Sequence, residues 1–180
     1  MKEIQDFLSY ISGLCAQHKS IKHSDEECHF ASSLEDGQML FARQMHYPCV
    51  VVDAGDIHFS EEQTQLFINS DIVIYFVDHV ADAGNMIEIN GAFVKNLDIC
   101  TDFIKRMYLD KKDTENNRFL RYFEVGDAAV EKVFLEANGL FGWAMGINFK
   151  NRFYMAKCEE QEEESVWLTQ QGGQDDGNDL

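Results

Sequence analysis

The sequence predicts an α+β fold. A single small sheet, mixed or antiparallel and of about four to six strands, is backed by a long central helix at residues 85–110 and by an N-terminal helix. Apolar residues recur at helical spacing in both predicted helices. The segments 65–80 and 140–149 are instead rich in β-branched and aromatic residues, as strands are. The dipeptide Asn138-Gly139 separates two apolar runs, which is typical of a β-hairpin.

Composition excludes several classes of protein. At 180 residues, 45% of them hydrophobic, the chain is large and apolar enough to bury the core of one domain. Its net charge of −17 argues against nucleic acid or an anionic membrane as the main partner, because either would repel it. The five cysteines have no motif spacing, no apolar run could span a bilayer, and the chain starts directly with an amphipathic pattern. We therefore expect a soluble protein with free thiols.

The central helix carries agreeing local signals. Asn85 is a suitable N-cap, and Glu88 stands where the carboxylate of a capping box belongs. Four further apolar residues widen its stripe, so the helix is expected to lie on a sheet: Ile87, Val94, Phe103 and Tyr108. The predicted stripe itself consists of residues at steps of three and four: Met86, Ile89, Phe93, Leu97, Cys100, Ile104 and Met107.

The other elements follow from shorter patterns. The N-terminal helix is predicted at 2–19, and the central strand at 65–80 has two apolar faces, which predicts that both are covered. Between them, 53–64 is expected to form a hairpin arm or loop. The remaining predicted strands are those around 28–33, at 49–52 after the only proline, at 118–125, at 129–136 and at 140–149.

The last strand has two different faces. Phe141, Trp143 and Met145 point to one side, with Ile147 and Phe149 continuing that face, whereas Gly142 and Gly146 point to the other. A bare face of this kind indicates the close approach of another backbone or helix. We favour packing against the central helix over a ligand slot.

Two clusters of residues were considered as metal sites. His18, His23, Cys28 and His29 offer zinc ligands, but zinc sites usually have paired ligands at short fixed spacings, so a solvated connector is favoured. The second cluster also lacks diagnostic spacing for a divalent cation; it comprises Asp53, Asp56, His58, Asp78 and His79. We therefore predict no bound metal.

No catalytic signature is present. Cys49 follows His46 closely, but near neighbours on a strand do not form an arranged thiol and base. No glycine-rich loop opens a helix as phosphate binding requires, since Gly142 and Gly146 lie within a strand pattern. The protein is predicted not to be an enzyme and to hold no cofactor.

The composition changes near the C-terminus. Residues 157–180 contain eight acidic residues and one basic residue, a net charge of −7. We expect this tail to be disordered and residues 1–156 to form a single domain. Trp167, in the apolar island 166–168, is a candidate anchor for a partner.

The order of elements resembles a known family. The order consists of an N-terminal helix, strands around YPCVVVD and SDIVIYFVDHV, one long helix and a closing hairpin that ends in GLFGWAMGINF. It resembles the order of elements in the tail-terminator and tail-completion proteins of bacteriophages. The resemblance covers roughly residues 1–150 and includes the turn from Asn138 to Trp143. It implies a structural protein, with a sheet backed by helices, whose subunits form a ring at the end of the tail tube. Such a protein has no cofactor, binds itself and other tail proteins, and is found in a virion or, if prophage-encoded, in the bacterial cytoplasm.

An alternative of a different class remains. An acidic protein-binding or regulatory module would engage a basic partner through its surface and its C-terminal tail. The candidate interface residues are Phe141, Trp143, Met145 and Trp167. A ring would have a multiple of the monomer mass, whereas a binding module would be a monomer or dimer.

Overall fold

The computed structural model describes residues 2–33, 45–113, 115–135 and 139–152. In this part of the chain two α-helices accompany a six-stranded mixed sheet that is not closed, which confirms the α+β class. The helices are α1 (Lys2–Gln17) and α2 (Met86–Asp110). The strands are β1 (Phe30–Ser33), β2 (Cys49–Asp53), β3 (Ile57–Glu62), β4 (Gln65–His79), β5 (Ala129–Leu135) and β6 (Leu140–Arg152).

Strand β4 is the centre of the sheet. Along one side it pairs antiparallel with β6, from Phe67 opposite Arg152 to His79 opposite Leu140. Its other side is shared, because β3 pairs with the first half of β4 and β2 with the second half. Strand β1 lies parallel outside β2, and β5 lies antiparallel outside β6. Among the described strands, β5 is therefore open on one side of the sheet, and β1 and β3 are open on the other.

Both helices pack on the same face of the sheet. The ring of Phe7 in α1 lies 5.5 Å from that of Phe149 in β6, and Phe103 in α2 lies 5.2 Å from Phe76 in β4. Apolar side chains of three strands complete this core: Val50, Val52, Ile72, Ile74, Met145 and Ile147. This side of the sheet is termed the helix-covered face.

The opposite face also contains buried apolar side chains. Val51 and Val77 have no exposed surface, and they cluster with Cys49 and Leu140. Because Phe76 on the helix-covered face is equally buried, the prediction that both faces of the central strand are covered is confirmed at this point.

The start of α2 was predicted in part. The side-chain oxygen of Asn85 accepts hydrogen bonds from the backbone N–H groups of Ile87 and Glu88, as an N-cap does. The reciprocal bond of a capping box is absent, because the backbone N–H of Asn85 donates instead to the carbonyl oxygen of Asp82. The turn before the helix supplies this partner.

The buried face of α2 differs from the predicted one. Met86 and Leu97 of the predicted stripe are exposed, and so are three of the four residues expected to widen it: Ile87, Val94 and Tyr108. The residues that α2 buries are Ile89, Ala92, Asn96, Ile99, Cys100, Phe103 and Met107. The helix is thus rotated so that Ala92 and Asn96 lie in the contact and larger apolar side chains remain outside it.

The strand predicted at 118–125 was wrong. Two 3₁₀ helices occupy this region, at Arg118–Leu120 and at Val125–Asp127. Phe119 lies against α1, with its ring 6.2 Å from Phe7 and 5.3 Å from Tyr10, while Leu120 and Phe123 are buried in the same core. The apolar residues of this segment are therefore spaced so that short 3₁₀ turns bury them in the core, and they do not alternate as in a strand.

Two hairpins shape the sheet. Residues 53–64, expected to be a hairpin arm or loop, contain strand β3, which forms a hairpin with β4. The two strands are joined through Gln63 and Thr64, which have positive φ angles of 49° and 65°. The hairpin predicted from Asn138-Gly139 is confirmed by the pairing of β5 with β6, and Gly139 has φ 62°. Such φ values are the left-handed conformation that glycine adopts readily.

The bare face of β6 does not pack on the central helix. The aromatic side of the strand faces the helices, and a Cβ atom on Gly142 would collide with the backbone carbonyl oxygen of Phe76 in β4. The expected close approach is therefore made by a neighbouring strand.

The predicted acidic tail, 157–180, lies outside the described residues. Among the described helices, none has the length and apolar character needed to cross a membrane.

Candidate functional site

Apolar side chains remain exposed where α2 faces the edge strand β5. Met86 is 62% exposed, Leu97 38% and Phe134 61%, and Phe93 and Trp143 are half-buried between them. These five residues are termed the α2–β5 surface. Large apolar side chains at such exposure mark a site of contact when they gather in one place.

Contacts between helix and sheet show that the surface is continuous. The Phe93 ring lies 6.2 Å from Trp143 and 6.1 Å from Phe141, and Phe134 is paired with Phe141 across the β5–β6 ladder. Leu97 follows Phe93 by one helical turn, and Met86 precedes it by two, so both share its flank of α2.

A lysine lies at the centre of this surface. The Lys132 ammonium nitrogen is 4.9 Å from the centre of the Phe93 ring and 5.8 Å from that of Trp143, which are cation–π distances. Lys132 forms no ion pair with any described residue. Within the described part of the chain, the α2–β5 surface therefore offers apolar area together with a lysine that has no ion-pair partner.

The structure separates the interface residues predicted from the sequence. Phe141 and Met145 are buried, so they support the surface from beneath instead of forming it. Trp143 is half-buried and belongs to the surface, and Trp167 lies outside the described residues. Sequence reasoning missed Phe134, the most exposed aromatic residue of the surface.

The residues of the first candidate metal cluster, which the sequence analysis disfavours, make separate contacts. Nδ1 of His29 lies 2.8 Å from the carbonyl oxygen of Pro48, and Nδ1 of His23 accepts from the backbone N–H of His29. Cys28 Sγ is 3.3 Å from the carbonyl oxygen of Phe30, and His18 Nε2 is 3.7 Å from a carboxylate oxygen of Asp102.

The second candidate cluster, also disfavoured by its spacing, is divided as well. Asp53 pairs with Val73, five residues before Asp78 on β4, which places the two carboxylates roughly 17 Å apart along the sheet. Asp78 accepts a 2.7 Å hydrogen bond from Lys95 instead. Within the described residues, no three potential ligands lie together as a metal ion would require.

The cysteine near His46 is not arranged as a nucleophile. Cys49 is buried, and burial raises the pKa of its thiol to about 12, with the nearby charge of Asp78 adding to the shift. His46 turns its ring toward His29, at 5.5 Å, and is exposed. A thiol that is protonated at neutral pH is a poor nucleophile.

A shallow groove with mixed polar and apolar walls runs along the opposite flank of α2. It has a volume of about 560 Å³ and includes His18, Ser20, Lys95, Asp98 and Asp102 in its wall. Nδ1 of His18 accepts from the backbone N–H of Ser20, and the charge of Lys95 is compensated by Asp78 outside the groove. His18 also lies 3.7 Å from Asp102, so several of the polar groups in this wall already have partners within the protein.

The comparisons with known proteins give no relative. No protein-family model matches this chain, and no curated protein and no solved structure matches it significantly.

Proposed function

We propose that this protein is a structural subunit that works by associating with copies of itself through the α2–β5 surface. The observation that carries the proposal is the exposure of Met86, Leu97 and Phe134 in one continuous apolar area beside an open sheet edge. Burying a large apolar side chain completely gains about 1.5–3 kcal/mol relative to leaving it in water. A second subunit on this surface would gain part of that free energy.

The neighbouring strand edge strengthens the proposal. Strand β5 is an edge strand among the described residues, and an edge strand carries a row of backbone groups that can pair with another chain. An apolar patch and a row of backbone donors and acceptors therefore lie side by side. This combination suits a protein–protein contact better than a small-molecule site, which is usually concave.

A place in a bacteriophage tail is the biological setting we propose. It rests on the resemblance in the order of elements to tail-terminator and tail-completion proteins, whose subunits form rings. In this setting the partners are further copies of the chain and other tail proteins, in a virion or in a bacterium that carries the prophage.

The test is the solution mass of the full chain. Light scattering across a range of protein concentrations should give a multiple of the 20.7 kDa monomer. Phe134→Lys and Leu97→Lys should shift the population toward monomer, because a charge would be buried in the contact. Leu109→Lys is the matched control, since Leu109 is equally apolar and exposed but lies on the other flank of α2. A wild-type chain that is monomeric at every concentration would refute the proposal, as would equal effects of all three variants.

The acidic charge favours a second candidate, a module that binds a basic partner. The net charge of −17, with eight acidic residues against one basic residue in 157–180, would attract such a partner. Titration of the monomeric chain with polylysine should then show binding that weakens with salt and falls on deletion of 157–180. Binding unchanged by that deletion would contradict a role for the tail.

A further inference from the structure

We infer that the contact between subunits is head-to-tail: the edge strand β5 of one copy pairs antiparallel with the edge strand β3 of the next, an inference that rests on the proposed self-association. The two strands lie on opposite sides of the same sheet and in opposite halves of it. One copy could therefore present β5 to a neighbour while presenting β3 to another.

Both edges carry an exposed phenylalanine on the same face of the sheet. Phe134 in β5 is 61% exposed, and Phe59 in β3 is 63% exposed. Phe134 pairs with Phe141, and Phe59 pairs with Ile68, both of which lie on the helix-covered face. When two edges extend one continuous sheet, side chains opposite each other project from the same face. Phe134 and Phe59 satisfy this condition.

One register satisfies apolar and charged residues together. An antiparallel alignment that sets Phe134 opposite Phe59 also sets Lys132 opposite Glu61, again on the helix-covered face. Among the described residues, neither Lys132 nor Glu61 has an ion-pair partner. An aromatic pair and an opposite-charge pair across strands each stabilise a sheet.

The same register has one unfavourable pair, which the structure compensates. Glu131 stands opposite Glu62 on the other face of the sheet. Glu62, however, already accepts 2.8 Å hydrogen bonds from Lys150 of β6, so its charge is neutralised before the contact forms. The repulsion is therefore smaller than for two free carboxylates.

Pairing of β5 with itself is disfavoured by charge. A two-fold axis that pairs Ala129–Leu135 over its full length centres on Lys132 and places the two lysines directly opposite each other. Like charges at such positions destabilise a sheet. A head-to-tail contact avoids this and leaves one β5 and one β3 edge open after each addition, so it continues until a ring closes.

A charge exchange tests the arrangement. Lys132→Glu and Glu61→Lys should each weaken association about tenfold, because each places like charges opposite in the wild-type register. Mixing the two variants should restore association, since every contact between them again joins a lysine to a glutamate. The double variant Lys132→Glu/Glu61→Lys should associate as well as the wild type. Glu115→Lys is the control for a change of net charge, because Glu115 is exposed and forms no ion pair with another described residue.

Light scattering at fixed concentration and salt gives the readout, with circular dichroism to show that each variant is folded. If the wild type associates but Glu61→Lys is unaffected, or if neither the mixture nor the double variant recovers, the head-to-tail contact is refuted and self-association stands. If the wild type is monomeric throughout, both proposals fail.

Discussion

The indole Nε1 of Trp143 donates a 2.8 Å hydrogen bond to the backbone carbonyl oxygen of Phe93, joining β6 to α2 across fifty residues of sequence. The bond connects α2 directly to the sheet next to the edge strand β5. The Phe93 ring, 6.2 Å from the indole, is held in the same place. The Trp143–Phe93 contact therefore joins α2 to β6 at the centre of the α2–β5 surface.

Trp143→Phe should lower the free energy of unfolding by about 1–2 kcal/mol, because a part-buried hydrogen bond and some aromatic contact are lost. Urea denaturation measures the change. Tyr108→Phe, which removes a hydroxyl from an exposed aromatic residue of α2, should stay within about 0.5 kcal/mol of the wild type. Equal stabilities of the two variants would show that the indole bond contributes nothing.

The two glycines of β6 should respond differently to a methyl group. Gly142→Ala should destabilise the protein by about 1–3 kcal/mol or more, because its Cβ would meet the carbonyl oxygen of Phe76. Gly146→Ala should be tolerated, since the nearest atom to its Cβ would be the carbonyl oxygen of Ala129 at 4.0 Å. Thermal unfolding of both variants decides this, and a tolerated Gly142→Ala would contradict the close approach of β4.

Asn96 is a buried amide whose side-chain oxygen is unsatisfied among the described residues. Its side-chain NH₂ donates to the carbonyl oxygen of Ala92, and its side-chain oxygen has no partner among the described residues. Asn96→Leu should leave stability unchanged or raise it by about 1 kcal/mol, because an unsatisfied polar atom is removed. Asn90→Leu on the exposed face is the control. A loss above about 2 kcal/mol in Asn96→Leu alone would mean that the amide makes a stabilising bond.

Alkaline pH should destabilise the protein through its buried thiols. Burial raises the pKa of Cys49 from its ordinary value of 9.0 to about 12. Above pH 9 the unfolded thiol loses its proton while the folded one keeps it, so stability present below pH 9 falls as the pH rises toward 12. The slope contributed by one thiol is at most about 1.4 kcal/mol per pH unit. Cys49→Ala should make the decline in unfolding free energy between pH 9 and 11 less steep, and an unchanged slope would contradict the shift.

The sequence predicted those elements in which two signals agree. The bounds of α2 follow from helical spacing and from the N-cap Asn85, and β4 follows from β-branched density on both faces. The β5–β6 hairpin follows from the turn at Gly139. The strand predicted at 118–125 was wrong because so short a run of apolar residues fits both the alternation of a strand and the three-residue spacing of a 3₁₀ helix. Packing of this segment against the core beside Phe7 decides for the 3₁₀ helices.

The α2–β5 surface was harder to predict because hydrophobicity does not indicate which side of a helix is covered. The wide apolar stripe of α2 predicts a broad contact with the sheet, yet the sheet covers Ala92 and Asn96 and leaves Met86 and Leu97 exposed. Phe134 looks like any apolar strand residue until β5 is known to be an edge strand among the described residues. The sequence pattern alone does not separate the apolar residues that the sheet covers from those that remain exposed.

The turn between β3 and β4 has a consequence for how the molecule can be tuned. Thr64 is β-branched, yet it adopts φ 65°, a conformation that suits glycine or asparagine far better. The backbone of this turn is therefore strained, and Asn-Gly at 63–64 would relieve the strain and stabilise the β3–β4 hairpin. The stability of the hairpin can thus be changed while every side chain from Ile57 to Glu62 stays as it is.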